Sequence, residues 1–214
     1  TFDGVLGRLE DKLNLGYHGV KLKIGANDVE REPDLVKHIR ERFSKSDVQL
    51  RVDANGGCTP ENTLPRMEKL DQYDIHSIEQ PIKQHQWKDM ARLCQASPLP
   101  IALDEELIGV NMKAMKEELL DAIHPAFLVL KPSLHGGMAG CREWIELARK
   151  KGIGSWITSA LESNVGLNAV AQFAAQVYGP HISFPQGLGT GQLFTDNIPM
   201  PLQLKGDQLW YGDK

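Results

Sequence analysis

Short apolar runs rich in β-branched residues alternate with amphipathic stretches along almost the whole chain. The strand-like runs are Gly19 to Ile24, Val48 to Asp53, Ile75 to Glu79, Pro100 to Asp104, Phe127 to Lys131, Ile153 to Thr158 and His181 to Phe184. The helical stretches are Asp3 to Leu15, Val29 to Phe43, Pro60 to Leu70, His85 to Gln95, Asn111 to Leu120, Met138 to Lys151 and Asn164 to Tyr178. In one of these, Met138, Cys141, Trp144, Ile145 and Ala148 share a helical face. Arg149, Lys150 and Lys151, then Gly152, close it as the helix dipole and a glycine cap favour. Strands alternating with helices build βαβ units on a parallel sheet, so the expected class is α/β. No phosphate-binding glycine motif follows the first run, which disfavours a nucleotide-binding open sheet and leaves a (β/α) TIM-type barrel. The chain has 214 residues, short of the roughly 250 that eight units occupy. The expectation is therefore a partial barrel over residues 1–199. A C-terminal tail, 200–214, has an alternating β-like pattern that turns at Lys205-Gly206-Asp207.

Composition narrows the partners. With 24 Lys and Arg against 28 Asp and Glu, the net charge is −4, and no basic field attracts nucleic acid or an anionic membrane. No apolar run reaches the length of a membrane span and no signal-peptide pattern opens the chain. Three cysteines, Cys58, Cys94 and Cys141, lie far apart without a CxxC, so neither a disulfide framework nor a thiolate zinc site is expected. A cytoplasmic protein is the resulting expectation.

What the strand ends carry points to chemistry. In order they present Lys21 and Lys23, Asp53, Glu79, Asp104 and Lys131, with the three carboxylates 26 and 25 residues apart and Lys131 another 27 on, about one βα unit each. Singly, a Lys-Leu-Lys is a solvated strand edge and an Asp a helix cap. Charges in register on five successive strand ends, where active sites assemble in a parallel barrel, are expected to form a site. Asp53, Glu79 and Asp104 offer hard oxygen ligands, which suit Mg²⁺, with Mn²⁺ as an alternative, over zinc. Lys21 and Lys23, two apart on a strand, point to one face. Crowded together beside a metal, their pKa values are expected to fall, which suits a general base. Lys131 is expected across the barrel mouth, giving a geometry for removing a proton alpha to a carboxylate.

These residues also carry a resemblance. Lys21-Leu-Lys23, Asp53-Ala-Asn55, Glu79-Gln-Pro81, Asp104-Glu-Glu106 and Lys131-Pro132 resemble the muconate-lactonizing-type branch of the enolase superfamily. Within it, Thr158 to Ser163 with Gly166-Leu167, and the Gln186 to Gly191 stretch, resemble the o-succinylbenzoate synthase family. The resemblance implies Mg²⁺ on Asp53, Glu79 and Asp104, holding a small carboxylate substrate, 2-succinyl-6-hydroxy-2,4-cyclohexadiene-1-carboxylate of menaquinone biosynthesis. Lys23 would abstract the alpha proton, Lys21 would tune it, and Lys131 would stabilise the enediolate, so that water leaves by syn dehydration. Ser159, Glu162, Asn55 and Arg51 are candidates for substrate contact by position. Members carry a first barrel strand and an N-terminal capping domain that this sequence lacks, so an open barrel seam and self-association through it are expected. The rival within the branch is an N-acylamino acid racemase or related epimerase. The dipeptide epimerases' DxD has no counterpart in the GLGTGQLF region. The rival of another class is a non-catalytic barrel fragment that needs its cap.

Overall fold

A computed structural model describes residues 2–25, 32–179, 181–182, 184–189 and 194–212. The chain divides into two compact units, one of residues 1–106 and 119–127, the other of 107–118 and 128–214.

The first unit runs α1 (Phe2–Asn14), β1 (Gly19–Lys23), α2 (Glu32–Arg42), β2 (Gln49–Asp53), α3 (Thr63–Asp71), β3 (Ser77–Glu79), α4 (Trp87–Ala96) and β4 (Ile101–Leu103). Successive strands pair in parallel: Lys23 lies opposite Asp53, Asp53 opposite Glu79, and Glu79 opposite Ala102. This register puts the charged ends of three strands at one level and Asp104 two residues beyond. Because side chains alternate across a strand, Arg51 and Asp53 share a face, while Leu50 and Val52 take the other. All four are buried, as are Val36 and Ile39 of α2 and Met67 and Leu70 of α3. At the opposite end of the strands, Arg40 donates to the carbonyls of Val48 and Tyr73, each at 2.8 Å, and of Asp74 at 3.0 Å.

Helix starts differ from the sequence expectation for local reasons. The start predicted at Val29 falls at residues 29–31, outside the described residues. The helix expected from Pro60 begins at Thr63, because Thr59 and Asn62 hold each other in a turn: the Thr59 amide donates to Asn62 Oδ1 and the Asn62 amide to Thr59 Oγ1. The helix expected from His85 begins at Trp87, because His85 has a left-handed φ of 68° and gives its amide to Glu106 Oε1.

The second unit continues from α5 (Lys113–Ile123), whose C-terminal part lies in the first unit, and from β5 (Phe127–Leu130), to α6 (Gly137–Lys150), β6 (Gly154–Ile157) and α7 (Asn164–Tyr178). The Thr158 amide donates to Leu130 O at 2.9 Å, joining the ends of β5 and β6. Cys141, Trp144, Ile145 and Ala148 of α6 are buried as the periodicity predicts, with Leu147 added. Met138 departs from that face and is exposed. The predicted strand His181 to Phe184 does not form at His181, Ile182 and Phe184, and Ser183 lies outside the described residues. Pairing falls instead on a parallel bridge between Thr158 and Gly187, where Gln186 Oε1 accepts from the Ile157 amide at 2.7 Å. A Cβ on Gly187 would come within 2.5 Å of Thr158 Oγ1, so this approach requires glycine. The tail forms the antiparallel hairpin β7 (Leu202–Lys205) and β8 (Gln208–Tyr211), turning with φ 61° at Gly206 as expected. Among the described residues no helix is long and apolar enough to cross a membrane.

Candidate active site

In the first unit, β1, β2 and β3 bring Lys21, Lys23, Asp53 and Glu79 together. Both lysines reach Asp53 Oδ2, Lys21 at 2.8 Å and Lys23 at 2.6 Å, which confirms that they share a face. Lys21 also donates to Glu79 Oε1 at 2.8 Å and Oε2 at 3.0 Å. Asp53 and Glu79 are buried, and Lys23 is the open member, its side chain 62% exposed.

One ammonium shared by two buried carboxylates divides them. Burial works against the Asp53 anion, but Lys21 and the hydrogen bonds from both lysines hold its carboxyl below the usual range. For Glu79 the balance goes the other way: burial, with the charges of Asp53 and Asp104, outweighs Lys21 and pushes its carboxyl well above the usual range. For Lys21 the expected fall is reversed. Burial works to lower its pKa, but Glu79 and Asp53 together raise it, because the ammonium sits on two acceptors.

Around this cluster, Asn55 Oδ1 accepts from Lys23 at 2.5 Å, while its amide nitrogen donates to Glu105 Oε1 at 2.9 Å. The Asn55 backbone, left-handed at φ 44°, gives its amide to Asp53 Oδ1 at 3.0 Å. Arg51 is buried one pleat below Asp53, donates to Gln49 Oε1, and is lowered to about 10 by burial against the charge of Glu79. Asp104 is also buried, and its backbone amide is bound by Gln80 Oε1 at 3.1 Å. Gln80, Glu105 and Glu106 had no role assigned from sequence. The signal available was their place beside Glu79 and Asp104 at the strand ends.

The donor chemistry of Asp53, Glu79 and Asp104, three buried carboxylates without nitrogen or sulfur, fits a hard divalent cation. Among the described residues no three His, Cys, Asp or Glu side chains are already gathered into an ion-holding group. Lys21 bridges Asp53 and Glu79 instead.

The second unit carries the remaining candidates. Lys131 follows β5, and its amide donates to Nδ1 of the buried His135 at 2.9 Å. Ser159 is buried and engages Gly187 O through its amide and its hydroxyl. Glu162 accepts from the Ser133 hydroxyl through Oε1, while its buried Oε2 has no hydrogen-bond partner among the described residues.

The family model described as "Enolase C-terminal domain-like" matches residues 6–198. The chain belongs to this family. An o-succinylbenzoate synthase from Desulfotalea psychrophila is 54% identical over 202 residues, covering 94% of this chain and 54% of that protein. An N-succinylamino acid racemase from Thermus thermophilus is 33% identical over 166 residues, covering 78% of this chain and 42% of that protein. The crystal structure of MenC from Desulfotalea psychrophila matches with a TM-score of 0.90 at 52% identity, covering 98% of this chain and 57% of that one. Muconate lactonizing enzyme from Pseudomonas putida matches with a TM-score of 0.79 at 28% identity, covering 90% of this chain and 52% of that one. The expected fold class, a partial (β/α) barrel of the enolase superfamily, agrees with these matches. The chain spans about half the length of the relatives it matches.

Proposed function

We propose that this chain is the catalytic barrel of an o-succinylbenzoate synthase, a lyase acting on a small carboxylate in the cytoplasm. The observation that carries the proposal is the 54% identity over 94% of the chain to a synthase of that name. The reaction is dehydration of 2-succinyl-6-hydroxy-2,4-cyclohexadiene-1-carboxylate to 2-succinylbenzoate for menaquinone biosynthesis. Lys23, in its neutral form, takes the proton alpha to the carboxylate. The electron pair of that C–H bond shifts first onto the substrate carboxylate and then into the ring as the C–O bond breaks, and the Lys23 ammonium gives its proton to the departing hydroxide. The products are an aromatic ring and water. Asn55 and Asp53, the two acceptors on Lys23, orient its nitrogen and favour the ammonium that forms midway. Lys21 keeps a positive charge beside Asp53 and Glu79. Mg²⁺ held by Asp53, Glu79 and Asp104 would supply Lewis-acid stabilisation of the substrate carboxylate. The resemblance assigns Lys131 to the developing negative charge, while Ser159, Glu162, Asn55 and Arg51 are candidates for substrate contact by position.

The test follows ultraviolet absorbance during Mg²⁺-dependent dehydration by the chain. Turnover that a chelator abolishes is the expected result. A folded chain that binds Mg²⁺ and leaves the substrate unchanged overturns the assignment. Racemisation of N-succinylamino acids is the second reading, favoured by the similarity to the Thermus thermophilus racemase. It predicts exchange of the α-proton of an N-succinylamino acid for solvent deuterium.

A further inference from the structure

The parallel ladder between β3 and β4 ends at Glu79 opposite Ala102, closed by the Gln80 amide donating to Ala102 O at 2.9 Å. Asp104 and Glu106 lie beyond this β3–β4 ladder. The Gln80 side chain reaches across to them: Oε1 accepts from the Asp104 amide at 3.1 Å and from the Glu106 amide at 3.2 Å. Nε2 donates to Ile82 O at 2.9 Å, anchoring the side-chain amide to its own loop, and Gln80 O accepts from the Gly56 amide at 2.7 Å. The residue is entirely buried and held at a left-handed φ of 36°, a conformation that costs free energy in a residue other than glycine. One residue thus extends the β3–β4 contact beyond the ladder and ties the loops after β2, β3 and β4. The same turn carries Glu105, which holds Asn55, which in turn holds Lys23.

We propose that Gln80 is a positioning residue that fixes Asp104 against Glu79 and thereby sets the preference of the three carboxylates for a small divalent cation. This rests on the reading of Asp53, Glu79 and Asp104 as metal ligands. Mg²⁺ demands near-octahedral geometry at about 2.0–2.1 Å, whereas Ca²⁺ accepts longer and more variable contacts. Loosening the backbone under one ligand therefore penalises Mg²⁺ more than Ca²⁺. A side chain that only supported the fold would weaken both alike.

The experiment titrates Mg²⁺ and Ca²⁺ separately by calorimetry into the full chain and into Gln80→Met, Gln80→Asn and Arg40→Gln. Met keeps the length of Gln without its acceptor. Asn keeps the amide, withdraws it from both backbone donors, and tolerates the left-handed φ, so it carries the test if the Met variant does not fold. Arg40→Gln loosens the same unit at the other end of the strands. For both Gln80 variants Mg²⁺ affinity is expected to fall about tenfold or more, as for other partners that orient metal ligands. Ca²⁺ affinity is expected to fall no more than about threefold, given its flexible coordination. The Mg²⁺-to-Ca²⁺ ratio in Arg40→Gln is expected to stay unchanged. Equal weakening of both cations, no weakening, or the same ratio change in Arg40→Gln overturns the role of Gln80. A wild-type chain that binds no Mg²⁺ overturns the metal reading itself, and this inference with it.

Discussion

Lys116 is buried in the second unit, with its ammonium 2.7 Å from Glu143 Oε2, 3.2 Å from Gly140 O and 5.3 Å from the centre of the Trp144 ring. The two partners are unequally solvated: the Lys116 side chain is 1% exposed and that of Glu143 35%. Removing one or the other therefore has unequal consequences. At 2.7 Å the Coulomb attraction is about 6 kcal/mol at an effective dielectric constant near 20 and about 1.5 kcal/mol in bulk water. Glu143→Gln leaves the ammonium buried without its counter-charge, although Gly140 O, the indole face and the new amide oxygen still receive it. About 2–3 kcal/mol of destabilisation remains. Lys116→Met removes the buried charge and fills most of its volume, and Glu143 turns to water. That change costs about 1 kcal/mol or less. For a chain of this size the midpoint moves about 2–4 °C per kcal/mol. Glu143→Gln is accordingly expected to lower Tm by about 4–12 °C, Lys116→Met by less than about 4 °C, and the double variant to behave like Lys116→Met. Thermal unfolding followed by tryptophan fluorescence reads all three. Lys116→Met as destabilising as Glu143→Gln, or a double variant worse than both, refutes the argument.

Three further outcomes are expected. Lys23→Ala should lower kcat for the proposed dehydration by at least about a hundredfold, the lower end for a general base, while calorimetric Mg²⁺ affinity stays nearly unchanged; retained turnover removes Lys23 as the base. The pKa of His76 is lowered to about 4 by burial and by the charge of Arg51. The unfolded chain then binds the proton more readily, so stability is lost as pH falls from about 6.5 towards 4. Discounted for the partial exposure of His76, the loss is about 1 kcal/mol by pH 5, and the Tm-versus-pH curve of His76→Gln should be flatter than that of wild type by this amount. Gly57→Ala would place a Cβ 2.9 Å from Ala54 O and 3.2 Å from Gly25 O, both rigid backbone atoms in the loops after β2 and β1. It should cost about 1–3 kcal/mol as overpacking does, and chemical denaturation showing no loss would mean that these loops yield.

The alternation of strands and helices was readable because burial imposes period two on a strand and period 3.6 on a helix, and both survive in the sequence. The readings that missed depend on bonds between residues without a shared period. His85 looks helical until its amide is seen to serve Glu106, 21 residues on. The expected strand at His181 gave way because the Ile157 and Ser159 amides were taken by Gln186 and Gly187. The site divides in the same way. Lys23, Asp53 and Glu79 were legible because a parallel register without offset places like positions of successive βα units at one level, so regular spacing in sequence becomes adjacency in space. What spacing cannot convey is how charge is shared once the groups meet. Two neighbouring lysines imply mutual repulsion and a lowered pKa. The folded chain puts both on one oxygen of Asp53 and extends Lys21 to Glu79, so attraction prevails for Lys21. Gln80 was equally hidden, because an amide side chain that extends a strand contact beyond the ladder leaves no periodic trace. Its importance follows from where the β3–β4 ladder stops, two residues short of the carboxylate it must hold.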